Sequence, residues 1–483
     1  MRRFGKRWIA AVLVAIDILV GAGLVCAQDQ QPEDASKPKP AARAYPPVGY
    51  PDQNPNGEQD STLPLQPDTR PLTGVQDPTL GSPELGHSFW VPGVQYHNIA
   101  GSTALNQTSA SGWNSTSYLV GNISLLKASS NSQLSVNYSG GGYFSTNSVE
   151  GNGQFHQLAL VQAFKWRRWQ LSLIDQFSYL PESSFGFGLG TGISIPGIGG
   201  SLGSVLSGLQ GTYQPNQSIL TSIGARYNNS FTTQVVYALN RRSSINVAGS
   251  YGILRFVKAG NIDSDDAIAN VGYNYLLSKK DTIGVLYRFS EYRYIGNAQV
   301  LDDHAVHAAY GRKITGRLAL QLLGGPEITT FRIPVRGQTR RVSPSGSATL
   351  SYAWGANNLS LTYSHGVSNG GGAQVGANSD QVQTGLDRQI SRYWHGNINF
   401  GYARNEGLGN FSGLSQNAQV FDSYYVGGGL GRPLGRNSTL LLGYTARIQT
   451  SNQAVCAAGT CSTSYTQHQV SVGFSWHARP FGL

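Results

Sequence analysis

Charge is what this chain has least of. Only 12% of its 483 residues are Asp, Glu, Lys or Arg, against about 25% in an ordinary soluble domain, so much of its surface is expected not to face water. Long apolar runs are also missing. Past residue 30 no stretch of about 20 apolar residues could cross a bilayer as a helix, and the mean hydropathy is −0.23. Helical periodicity is nearly absent, which sets aside helix bundles and α/β folds. Cysteine is scarce, with three in the chain, so a disulfide-dense scaffold is excluded.

The abundant residues are Gly, at 61, and Tyr, at 25. They sit in segments that alternate with period two, as side chains do along a strand. In Tyr465 to Trp476, residues Val470, Val472, Phe474 and Trp476 share one face, and Ser471, Gly473 and Ser475 share the other. Strands of a membrane barrel hide their apolarity in such alternation, which reconciles low charge with low hydropathy. The expected fold is all-β: a transmembrane antiparallel up-and-down β-barrel of 16 to 18 strands with a disordered N-terminal arm.

The N-terminus reads as a secretory signal over residues 1–27: Arg2, Arg3, Lys6 and Arg7, an apolar stretch from Trp8 to Val25, and the small-residue site Val25-Cys26-Ala27. A lipid-anchored Cys26 is the alternative, and Val25 fits it poorly. Residues 28–86, rich in Pro, Gln and Asp, are expected to form a disordered periplasmic arm, and residues 87–483 the barrel. Cys456 and Cys461, in a short Gly-containing loop, are expected to form a disulfide in an oxidising compartment. A metal reading lacks further ligands nearby.

Eight tight turns punctuate the alternation, at Lys127–Ser132, Trp166–Arg168, Asn240–Ser243, Ser278–Asp281, Ile314–Gly316, Gly355–Asn358, Ser391–Trp394 and Gly435–Asn437. The intervening connections are longer. Eight hairpins and the final strand make an odd number, so an opening strand is sought. Phe89–Ile99, interrupted by Pro92 and Gly93, is the candidate partner of Tyr465–Trp476. Trp166, Trp169, Trp354, Tyr393 and Trp394 lie at or beside tight turns, as an inner aromatic girdle would. Basic residues gather in the same turns. Net charge is +10, but these residues are scattered over separate turns without a basic helix or RNA motif, so no nucleic-acid partner is expected.

Tight turns on one side, longer loops on the other, a secretory signal and the ending Gln469-Val-Ser-Val-Gly-Phe-Ser-Trp476 together resemble the porin-type outer-membrane β-barrels of Gram-negative bacteria. The resemblance covers about residues 87–483 and rests on architecture rather than a residue motif. It implies an integral outer-membrane protein assembled by the barrel assembly machinery, surrounded by outer-membrane lipid, compatible with a homotrimer, and passing small hydrophilic solutes by diffusion. No enzymatic activity, cofactor or metal is expected. One departure is Arg479-Pro-Phe-Gly-Leu483 after Trp476: Pro480 should end the pairing, with Phe481 out of phase.

A channel needs a polar inner face. Opposite the apolar sets lie Arg288 and Ser290, Ser360 and Thr362, and Thr445, Arg447 and Gln449, the candidate pore-lining residues. Their arginines would give a mild preference for anionic or neutral solutes, unless inward carboxylates pair with them. The Gly-rich connection over 181–215 is expected to fold into the lumen as a constriction, the alternative being to pack against a neighbouring barrel. It lacks the Gly-Lys-Ser/Thr of a phosphate loop. Acidic groups at Asp263-Ser-Asp-Asp266 and Asp302-Asp-His304 read as solvated loop carboxylates or a cation bridge. The second functional class is a structural or adhesive barrel with a blocked lumen and surface-binding loops.

Overall fold

Each alternating segment has one apolar and one polar face, and in a bilayer every backbone N–H and C=O on it must find a partner in the protein. An antiparallel ring meets both conditions at once. The computed structural model describes residues 88–102, 113–146, 152–180, 226–257, 261–296, 298–335, 337–355, 357–372, 374–408, 420–435, 437–452 and 465–482. The segment through residue 87, the Cys456 and Cys461 pair and the 181–215 connection lie outside these residues.

The first six strands are β1 (Phe89–Ser102), β2 (Trp113–Ala128), β3 (Ser132–Ser145), β4 (Gly153–Lys165), β5 (Trp169–Leu180) and β6 (Arg226–Ala238). They are followed by β7 (Ser243–Phe256), β8 (Ser264–Leu276), β9 (Asp281–Tyr294), β10 (Val300–Lys313), β11 (Leu318–Val335) and β12 (Gln338–Trp354). The ring is completed by β13 (Asn357–Ser368), β14 (Ala377–Gln389), β15 (His395–Gly407), β16 (Val420–Pro433), β17 (Ser438–Ser451) and β18 (Tyr465–His477). A two-residue strand, β19 (Phe481–Gly482), follows. Neighbours in sequence pair antiparallel throughout, and β1 pairs with both β2 and β18, so the sheet closes on itself.

Closure uses the segment that the odd strand count demanded. Val94 stands opposite Trp476 and Asn98 opposite Val472, while β18 meets β17 with Leu442 opposite Val472. Pro92 and Gly93 do not break β1. The C-terminal extension differs from its expected end. Pairing stops after His477, the Ala478 N–H donates to the Pro92 carbonyl at 2.8 Å, and pairing resumes with Trp90 opposite Phe481. The register sum shifts by one residue across this bulge, which returns Phe481 to the outward phase, where it stacks on Trp90 at 4.9 Å.

The eight tight turns share one end of the ring with Phe89 and Phe481. Side chains shape several of them. Asn240 Oδ1 accepts from the Arg242 and Ser243 N–H groups at 2.8 and 2.9 Å, and Thr315 Oγ1 accepts from Arg317 and Leu318 at 3.1 and 3.0 Å. These are Asx- and ST-turn contacts, which hold the chain reversal without strand pairing. At the far end not every connection is long. β11 and β12, of 18 and 17 residues, run on past their neighbours and close through Gly337 at φ 77°.

Exposed apolar side chains mark the outward face, as with Ile283, Val285 and Tyr287 on β9 and Val470, Val472, Phe474 and Trp476 on β18. The opposite face carries buried polar groups such as Ser139, Ser290, Asn405 and Gln449. The chain is therefore a transmembrane antiparallel β-barrel of eighteen long strands, set in a membrane by its apolar exterior. At the tight-turn end Trp166, Trp169 and Tyr393 are exposed. Trp169 lies 4.4 Å from Tyr237, and Trp354 lies 4.8 Å from Tyr352. The Arg432 guanidinium stands 5.5 Å over the Trp394 ring.

Val472→Arg puts a charge on the outward face of the closing strand and should cost about 2–4 kcal/mol near the bilayer midplane. Ser471→Arg, on the inward face, should cost far less. Equilibrium denaturant unfolding in lipid vesicles measures both.

Candidate functional site

The inward face of β9 to β13 carries a connected set of polar side chains. Alternation aims every second residue inward, and antiparallel register lines up Ser290 with Asp303, Asp303 with Thr329, and Ala305 with Glu327. Arg288 extends from β9 along this row. Its Nη2 reaches Glu327 Oε1 at 2.5 Å and Asp303 Oδ2 at 3.3 Å. Thr329 Oγ1 donates to Asp303 Oδ1 at 3.1 Å, and His307 Nε2 lies 2.7 Å from Ser345 Oγ. Asp303 and Glu327 are fully buried. A buried carboxylate is tolerable only when paired and hydrogen-bonded, and one guanidinium here serves two of them.

Glu327 has a second role. Its other oxygen, Oε2, accepts from the Val367 N–H at 3.2 Å, and the Tyr292 hydroxyl donates to the Val367 carbonyl at 3.5 Å. Val367 is the root of the connection Asn369–Gly376 between β13 and β14, which does not stand up from the rim. Asn369 Nδ2 donates to Asp266 Oδ2 on β8 at 2.9 Å, and the Gly372 carbonyl accepts from the Ile262 N–H at 2.8 Å. The Gly376 carbonyl accepts from the Leu408 N–H at 3.1 Å. Strand β13 is five places from β8 around the ring, so this connection cuts a chord across the outer mouth. Val375 seats in an apolar cluster with Tyr292, Tyr294, Leu301, Phe331, Val335, Val367 and Leu408.

Glycine makes the chord possible. Gly372 and Gly376 have φ of 86° and 76°, which residues with a Cβ rarely adopt. A Cβ on Gly372 would collide with the Phe256 ring, and one on Gly376 with Leu301. The sequence signal was the run Asn369-Gly-Gly-Gly372 followed by Gly376, between two polar-faced strands. Sequence reasoning attended instead to the longer Gly-rich connection over 181–215.

The seven candidate lining residues fall on separate walls. Arg288 and Ser290 lie on β9, and Thr445, Arg447 and Gln449 on β17, eight strands away around the ring. Thr445 Oγ1 donates to Gln469 Oε1 at 3.3 Å, Gln449 is buried, and Arg447 is buried with its guanidinium 5.9 Å from the Tyr425 ring. Ser360 and Thr362 lie on β13, where Thr362 Oγ1 is 3.5 Å from Thr349 Oγ1. Sequence reasoning missed Asp266, Asp303 and Glu327 as inward groups. The first two were read as loop residues because strand ends are blurred where acids and serines cluster. Asp302 does point outward, while its neighbour Asp303 is inward.

Asp263 and Asp265 at this end are also engaged. Asp263 Oδ1 accepts from the Phe256 N–H at 2.8 Å, and Asp265 pairs with Arg255 at 2.5 Å. Among the described residues no cluster of three His, Cys, Asp or Glu is placed to hold a metal ion.

No protein-family profile matches the sequence, and no curated protein is similar to it. Among solved structures, the outer membrane protein opdK from Pseudomonas aeruginosa shares 10% identity at a TM-score of 0.41, with 80% of this chain and 99% of that one covered. Pseudomonas aeruginosa OccK5 (OpdH) gives 10% and 0.42, with 80% and 98% covered. Acinetobacter baumannii OccAB3 gives 9% and 0.39, with 80% and 99% covered.

Arg288→Met would leave Asp303 and Glu327 buried without their cation, and should cost about 3 kcal/mol or more in stability. Adding Glu327→Gln should recover part of that loss. Denaturant unfolding of the two variants checks both statements.

Proposed function

We propose that the chain is an outer-membrane channel through which small hydrophilic solutes diffuse, with neutral solutes preferred over strongly charged ones. The observation that carries this reading is the compensated polar inner face. Among the described strand residues four inward guanidiniums, Arg226, Arg288, Arg341 and Arg447, are matched by four inward carboxylates, Asp266, Asp303, Glu327 and Asp387. A wall of Ser, Thr, Asn and Gln with balanced charge accommodates water and hydroxylated solutes without a strong field for either ion sign. Arg288 and Arg447 together were the reason to expect anion preference, and the pairing of Arg288 with two carboxylates weakens that field. The tight turns lie at the same end as the start of β1 and the end of β18, the end that such barrels turn to the periplasm, and the chord of Asn369–Gly376 narrows the opposite, external mouth. On this reading the barrel assembly machinery and outer-membrane lipid are the partners of assembly.

A second reading, a structural or adhesive barrel with a sealed lumen, draws on the full burial of Ser139, Ser290 and Gln449 on the inner face. Planar-bilayer recording separates the two. A channel gives stable ion steps with a reversal potential near zero in a salt gradient, and a sealed barrel inserts without steps. Deleting residues 370–374 should raise unit conductance, and Arg288→Gln should shift the reversal potential toward cation selectivity. Unchanged conductance in the deletion would remove the chord from the permeation path.

A further inference from the structure

On the outward face a hydrogen-bonded pair recurs at one height. In seven of the nine pairs of rising and returning strands, the seventh or eighth residue of the rising strand bonds a side chain on the returning strand. That partner lies two positions farther out than the register partner. Tyr138 reaches His156 Nδ1 at 2.9 Å, Tyr287 reaches His304 at 2.8 Å, and Tyr444 reaches His468 at 2.9 Å. Tyr363 and Tyr402 donate to Asp380 and Asp422, each at 2.9 Å. Tyr96 lies 3.2 Å from Ser117 Oγ, and on β5 an aspartate takes the tyrosine's place, with Asn229 donating to Asp175 at 3.0 Å.

The height is that of a membrane boundary. At about 3.4 Å per residue and a tilt of about 40°, seven residues rise roughly 18 Å above the inner turns, and the partner side chains stand at roughly 23 Å. An outer-membrane barrel has an apolar band of about 25 Å. The side chains agree. Below the belt the outward positions are mostly apolar, as with Val285, Val306, Leu361 and Val472, with Gln162, Thr233 and Thr384 among the few polar ones. Beyond it come ion pairs, Arg255 with Asp265 and Arg293 with Glu291, each at 2.5 Å.

Hydrogen counting then identifies what the belt offers. A neutral tyrosine and a neutral histidine hold two N–H or O–H hydrogens between them. Whichever ring donates, one hydrogen is spent inside the pair and one remains for the surroundings. In a membrane boundary the acceptors are phosphate and ester oxygens. The inner leaflet is at the opposite end, so the lipid concerned is in the outer leaflet. Paired arginines and carboxylates just above the belt suit a layer of phosphates bridged by divalent cations.

We propose that this belt docks the phosphorylated glycolipid of the outer leaflet, with the Tyr138–His156, Tyr287–His304 and Tyr444–His468 pairs each donating one hydrogen bond to it. The test uses the full-length barrel in phosphatidylcholine vesicles, with its unfolding temperature followed as diphosphorylated lipid A, dephosphorylated lipid A or phosphatidylglycerol is added at equal mole fraction. Diphosphorylated lipid A should raise the midpoint by a few degrees, and the other two should leave it nearly unchanged. An equal rise with phosphatidylglycerol would mean that any lipid phosphate suffices, and an equal rise with dephosphorylated lipid A that phosphate is not recognised; either overturns the proposal. A variant in which the six paired residues are Phe should fold in phosphatidylcholine and lose the shift. Should that variant fail to insert, the three lipid arms on the native chain still decide. Channel conductance is read separately and is unaffected by either result.

Discussion

Everything in this barrel depends on the pairing of β1 with β18. In hydrocarbon an unpaired backbone amide costs several kcal/mol, and an open edge would present a whole row of them. The closing register runs from Gly93 opposite His477 to Gly101 opposite Gln469, and the bulge after His477 adds a second short contact at Trp90 and Phe481. That bulge decides on which face the C-terminal aromatic lies. Without the extra residue Phe481 would point inward; with it, the ring joins Trp90 at the membrane boundary.

Closure fixes register, and register fixes height. Once each strand leaves a tight turn at the same level, the seventh and eighth residues of the rising strands line up around the ring. The belt of Tyr–His and Tyr–Asp pairs follows from this, as does the inner cluster of Trp169 with Tyr237 and Trp354 with Tyr352. Two polar and aromatic rings bound the apolar band, and they differ in chemistry. The inner one combines indoles with turn arginines, and the outer one pairs hydroxyls with imidazoles and carboxylates.

Inside the ring, charge is handled by pairing rather than by exposure. Arg288 bridges β9 to β10 and β11 through Asp303 and Glu327, and Glu327 passes the connection on to β13 at Val367. The chord Asn369–Gly376 is thus anchored at its root by the charged network and at its far side by Asp266 and Ile262. The same residues that make the inner wall polar hold the piece of chain that narrows its mouth.

The sequence by itself determined the class of fold, because alternation, tight turns and scarce charge are local or compositional properties that a strand cannot hide. It also determined the eight inner turns, whose Asn, Ser, Thr and Gly residues act on their own backbone, and the need for an opening strand near Phe89, since parity is a matter of counting. Only the tertiary structure decided which charges meet. Arg288, Asp303 and Glu327 are up to 39 residues apart in the chain, and parity says only that each points inward. Asp265, Asp266, Asp302 and Asp303 looked like loop residues, yet β8 and β10 run on through them. The inward chord escaped notice for a similar reason: its glycines permit the turn, but Phe256 and Leu301, which make glycine obligatory there, come from strands brought near only when the ring closes. The outer belt was present in the spacing of tyrosines from the turns, yet its partners two positions farther out are visible only once the register is known.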